Sequence, residues 1–128
     1  MERERISPPG VHTPQANYSH VARVGNVLYL SGQIPVDVDG NLVGAGDAGR
    51  QAEQCFKNIG TILGHFGAKP EHVARITTYI TDLAYRPLVG HARDRFFGTP
   101  GPASTLVVIS GLASPDYLVE IEATAVLD

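Results

Sequence analysis

The sequence predicts an α+β domain in which a mixed β-sheet carries two helices on one face. Three observations point there. Only two segments, 47–66 and 86–97, repeat apolar residues at helical spacing. The rest of the apolar sequence falls into short, β-favouring runs bounded by glycine and proline. The resulting order, β-β-α-β-α-β-β, is not a strict alternation of strand and helix, so parallel and antiparallel neighbours must mix. A length of 128 residues fits one domain spanning 1–128.

The first seventeen residues hold Pro8, Pro9, Gly10 and Pro14. They predict a loose or extended lead, with residues 1–13 loose. "YSHVARV" and "VLYLSGQIP" predict strands near 18–24 and 27–33, joined by a hairpin turn at Gly25-Asn26. Asp39-Gly40 marks another tight turn. From Asp47 to Phe66 a helix is predicted, with Ala52, Phe56, Ile59, Ile62, Leu63 and Phe66 on one face. Asp47 suits its N-cap and Gly67 its C′ position. Cys55 shares the apolar face, which favours a buried core thiol over a nucleophile. "HVARITTYIT" (72–81) alternates and is β-branched, so it predicts a strand. Pro87 suits the first turn of a second helix over about 86–97, with Leu88, Ala92 and Phe96 inward. "GTPGP" ends it, and strands follow near 105–110 and 118–126.

Alternation assigns the strand residues to two faces. Val119, Ile121, Ala123, Ala125 and Leu127 form one set with Leu28, Leu30, Ala74, Ile76 and Ile80, predicted to lie under the helices. The other set holds Tyr29, Ser31, Gln33, Arg75, Thr77, Tyr79, Leu118, Glu120, Glu122 and Thr124. This second face is part polar and part apolar, a composition suited to a subunit interface.

Composition narrows the function classes. A formal charge of −3 and the absence of basic-aromatic clusters argue against nucleic-acid binding. One cysteine permits no intrachain disulfide. The charged, proline-rich start resembles no signal peptide, and no run of about 18 apolar residues suggests a membrane span. These features predict a soluble, cytoplasmic protein. The five histidines form no metal-binding pattern, and "GNLVGAGDAG" lacks the lysine of a phosphate loop. Glu120 and Glu122 stand at i, i+2 on one face, with Cα atoms about 7 Å apart. A carboxylate in a partly dry cleft can orient or deprotonate water. Pairing with arginines across an interface is the other reading of the pair, and for Glu122 it is preferred.

Taken together, "YSHVARVGNVLYLSGQIPVD", "QAEQCFKNIGTIL", "VARITTYITDL", "RFFGTPGPAS" and "LVEIEATAV" resemble the YjgF/RidA family in order and spacing from residue 14 onward. The resemblance implies a chorismate-mutase-like fold and a homotrimer whose sheets line a central barrel, with a small-molecule cleft between each pair of subunits. It implies cofactor-independent hydrolysis of reactive enamine or imine intermediates to a 2-keto acid and ammonia. Family members have also been called translation inhibitors and L-PSP endoribonucleases. By position, the resemblance implies that Glu120 places the attacking water and that Tyr18, Ser31 and Gly32 line the cleft. Deaminating members read Pro-Ala-Arg-Ser where this chain reads Pro102-Ala103-Ser104-Thr105. Ser104 thus stands where relatives keep a carboxylate-gripping arginine, and Ser104 and Thr105 become substrate-binding candidates. Arg86, at the start of the second helix, is a candidate replacement cation. The substitution implies a substrate different from ordinary 2-imino acids. The competing reading is a non-catalytic trimer that binds a small metabolite or partner; RNA cleavage is a third.

Overall fold

The computed structural model describes residues 1–128 as one mixed six-stranded sheet with two helices on one face. The strands are β1 (Arg3–Ile6), β2 (Val21–Val24), β3 (Val27–Gln33), β4 (Val73–Ile80), β5 (Ala103–Val108) and β6 (Val119–Val126). The helices are α1 (Ala48–His65) and α2 (Arg86–Phe97). Across the sheet the order is β1-β2-β3-β6-β4-β5. Among neighbouring strands only β4 and β5 pair parallel, as they must when a helix, here α2, carries the chain back across the sheet.

Helix α1 begins where Asp47 accepts a hydrogen bond from the Arg50 backbone N–H at 3.1 Å. It ends before Gly67, whose φ of +70° suits glycine and closes the helix as expected. Its apolar face supplies Cys55, Phe56, Ile59, Ile62 and Leu63 to the core, against Leu28, Ile76, Ile80 and Ile121 from the sheet. Phe56 also stacks on Phe96 of α2, ring centres 5.2 Å apart. Cys55 is fully buried and burial pushes its thiol well up, so it is a core side chain.

The structure departs from the sequence reading at four places. Residues 3–6 are not loose: they form β1, antiparallel to β2. "RERI" carries no apolar alternation because an outer strand with exposed side chains needs only backbone pairing. Val11 and His12 are likewise buried. Gln33 is buried rather than on the open face, because the β3–β6 register shifts between Leu30 and Gln33. A second shift, between Val73 and Arg75, buries Val73 and leaves Ala74 exposed. On α2, Val89 is buried in place of Leu88, which is 46% exposed.

Candidate functional site

The β3 irregularity creates the first part of the site. Ser31 sits on the bulge, and its backbone N–H donates to His20 O at 2.9 Å. Its hydroxyl donates to Ser19 O at 2.7 Å, tying β3 to the segment that carries Tyr18. Tyr18 and Ser31 line one cavity of about 540 Å³. Arg5 of β1 lines it too, a residue assigned to the loose lead.

Gly32 connects this cavity to Glu120. The Glu120 carboxylate lies so close over Gly32 that any Cβ there would overlap it. Glu120 is half-buried, and no protein group hydrogen-bonds its carboxylate. Burial raises its pKa, and the nearby Glu122 charge raises it further. Glu122 differs: the Tyr79 hydroxyl donates to its carboxylate. That bond in turn raises the Tyr79 pKa. Of the two glutamates, Glu120 is the one left free to bind a water.

Beneath the bulge lies a buried polar bed. His20 is fully buried, with Nε2 2.6 Å from His12 O and Nδ1 3.1 Å from Gln33 Nε2. These partners assign the ring proton to Nε2, with the Gln33 amide donating to Nδ1. The same amide nitrogen lies 3.2 Å from Ser31 O. Gln33 thereby holds the bulge that carries Ser31 and Gly32. Sequence reasoning missed this bed. The histidines form no metal-binding spacing and simple alternation puts Gln33 on the open face; the one available signal is the cluster of His20, Ser31, Gly32 and Gln33 around a tight glycine.

His12 packs edge-on to His20, ring centres 4.8 Å apart, and neither of its ring nitrogens has a partner. Burial, with the His20 ring nearby, lowers its pKa to about 4. An unfolded histidine takes up its proton near 6.5. Between these values the unfolded chain binds a proton that the folded one refuses, so stability falls as pH falls. The loss reaches about 3 kcal/mol by pH 4, at about 1.4 kcal/mol per pH unit. Urea midpoints measured from pH 7 to 4 should decline accordingly, and His12→Asn should flatten the decline.

Ser104 lies elsewhere. Its partner across the parallel pair is Ile76, a core residue, so Ser104 faces the helix side of the sheet. There it lines a groove of about 330 Å³ with Arg86, Arg93, His91, Thr78 and Leu106. Arg86 lines the same groove as Ser104, on the side of the sheet away from Glu120. Thr105 points the other way, accepting a hydrogen bond from Arg75 Nη2 at 3.1 Å. Thr105 shares the open face with Thr77, Tyr79, Glu120 and Glu122. Within one chain the sheet separates Ser104 and Arg86 from Tyr18, Ser31, Gly32 and Glu120. Among His, Cys, Asp and Glu side chains no group of three or more converges as a metal site, and no helix is long and apolar enough to cross a membrane.

Comparison with known proteins matches residues 10–127 to the family model described as Endoribonuclease L-PSP. The chain is 31% identical over 125 residues to the 3-aminoacrylate deaminase RutC of Acinetobacter baylyi, covering 98% of each. It is 32% identical over 123 residues to a 2-iminobutanoate/2-iminopropanoate deaminase of Dermatophagoides farinae, covering 96% of this chain and 95% of that one. Its structure is similar to the crystal structure of RidA from the Antarctic bacterium Psychrobacter, with a TM-score of 0.90, 28% identity, and coverage of 98% and 100%.

Proposed function

The chain belongs to the endoribonuclease L-PSP family, also called YjgF/RidA, and from that premise we propose that it is a cofactor-independent deaminase of reactive enamine or imine intermediates. The observation that carries the reading is Glu120: a half-buried carboxylate with no hydrogen-bond partner, pressed against a glycine, with a raised pKa. Two of the similar proteins above are named as deaminases of this substrate class.

In this mechanism Glu120 holds a water and takes one of its protons as the oxygen attacks the imine carbon. The C=N π bond breaks and its electrons go to nitrogen, which is protonated. The tetrahedral carbinolamine then collapses: the C–N bond breaks, ammonia leaves and a carbonyl forms. An enamine substrate first takes a proton at carbon and gives one up from nitrogen, so that it becomes the tautomeric imine. Water is the only co-reactant consumed. Ser31 and Tyr18 line the neighbouring cavity, and Gly32 leaves room for the Glu120 carboxylate to pack against the bulge.

The functional unit in this proposal is a homotrimer in the cytoplasm, with each cleft built by two subunits. One feature supports it: the open face exposes Tyr29, Val107 and Val126 beside Thr105 and Glu122, apolar area suited to burial between copies.

The test is ammonia release from imines made in situ by an amino-acid oxidase. The protein should speed release above buffer and elute near the mass of three chains. No acceleration across charged and neutral imines, with thermal stabilisation by their keto-acid products, would replace the deaminase reading with that of a non-catalytic binding protein.

A further inference from the structure

The β2–β3 hairpin pairs Val21 with Leu30, so the next residues outward, His20 and Ser31, meet. His20 and Val21 are neighbours in sequence and both are fully buried, which strand alternation would forbid. His20 precedes β2 and turns its ring inward beneath the bulge. A buried imidazole is costly unless its nitrogens are bonded, and here both are. Nε2 donates to His12 O at 2.6 Å, and Nδ1 accepts from the Gln33 amide at 3.1 Å.

These bonds hold the bulge at both ends. The His20 carbonyl takes the Ser31 N–H, its ring takes Gln33, and Gly32 is the residue between. Gly32 is also the residue against which the Glu120 carboxylate packs. A shift of Gly32 therefore moves the floor under the reacting carboxylate. The Tyr18 ring meets the His20 ring edge-on at 6.1 Å, which ties the wall of the neighbouring cavity to the same side chain. His20 itself does not line that cavity. It is placed to act through its neighbours rather than on a ligand.

We propose that His20 is a positioning residue of the Glu120 site: its Nδ1, through Gln33, fixes the bulge that sets where the Glu120 carboxylate stands. Its role in turnover rests on the deaminase reading, whereas its hold on the carboxylate does not.

Two substitutions divide the ring. In His20→Asn the amide oxygen falls near the position of Nδ1 and accepts from Gln33, while the bond to His12 is lost. In His20→Gln the amide nitrogen falls near Nε2 and keeps the bond to His12, while the bond to Gln33 is lost. Both remove the ring beside Tyr18, so KM should move alike in the two. Each loses one buried hydrogen bond, so both should melt lower by similar amounts. Turnover separates them, measured on the assembled full-length protein with imines made in situ by an amino-acid oxidase. His20→Gln should lower kcat at least about tenfold, since a reacting group misplaced by about 1 Å costs about 10². His20→Asn should keep kcat close to wild type. The Glu120 pKa, followed by carbon NMR, should fall toward that of an ordinary glutamate in His20→Gln and hold its wild-type value in His20→Asn. The titratable groups that interact with Glu120, namely Glu122, Tyr79 and Cys55, are the same in both.

Equal kcat in the two variants overturns the proposal, as does a Glu120 pKa that His20→Gln leaves at the wild-type value. If either histidine variant does not fold, Gln33→Met breaks the same contact from β3. A fall in both kcat and the Glu120 pKa there supports the proposal, and either one at its wild-type value overturns it. In a protein that hydrolyses no imine, a Glu120 pKa lowered by His20→Gln alone keeps the positioning contact and removes the deaminase reading. Turnover with equal kcat in both histidine variants does the reverse.

Discussion

Glu120→Gln is expected to lower turnover of an imine substrate by about 10²–10⁴-fold, the range general-base catalysis contributes, with little change in KM. Glutamine keeps the shape and can still hold a water, but it cannot accept the proton. The pH dependence follows from burial and from Glu122, which both raise the Glu120 pKa. Wild-type activity should therefore fall on the acid side at a pH above that of an ordinary glutamate. Stability should move the opposite way. A carboxyl with a raised folded-state pKa favours the fold while protonated, and that contribution is lost as pH rises through the folded value. At neutral pH the ionised Glu120 therefore destabilises the fold, and the glutamine variant should melt higher. Below the pKa of a glutamate in the unfolded chain the two should converge. A rate profile and melting curves over pH 4–8 check both signs. A glutamine variant that melts lower at neutral pH would show that the carboxylate has partners in the assembled protein.

Gly32→Ala is the second large effect. The added methyl would occupy the position of the Glu120 carboxylate. The obstacle is the end of a flexible side chain rather than backbone, so the carboxylate moves and the fold persists. Melting temperature should change little. Catalysis should fall about 10²-fold, the cost of misplacing a reacting group by about 1 Å. The two substitutions act on one group, so their effects should not add. In the Glu120→Gln background, Gly32→Ala should cost almost nothing further. A full additional loss there would mean that Gly32 shapes the substrate pocket independently of Glu120.

The sheet, both helices and their caps were legible because each rests on local chemistry. Asp47 caps, Gly67 adopts positive φ, and Pro87 lies in the first turn of α2. What escaped was set by partners distant in sequence. Simple alternation places Gln33 outside and Ala74 inside; a bulge near each reverses that parity. The bulges exist because strand β6 fixes the registry on both sides, which no local run of residues encodes. β1 escaped because its side chains stay exposed and only its backbone pairs. Ser104 and Thr105 are a different case. Adjacent residues in a strand must face opposite ways, so the sequence already contained their separation.

Ser104 and Glu120 stand on opposite sides of the same strand layer. In the proposed trimer, where a pocket takes residues from two copies, its appearance would be governed by mass action: halving the amount of chain would more than halve the working pockets near the association threshold. Two damaged copies, one lacking Glu120 and one lacking the neighbour's share of the cleft, would then still compose an intact pocket at one of their shared seams. Inheritance of such lesions would be partly complementing rather than simply recessive.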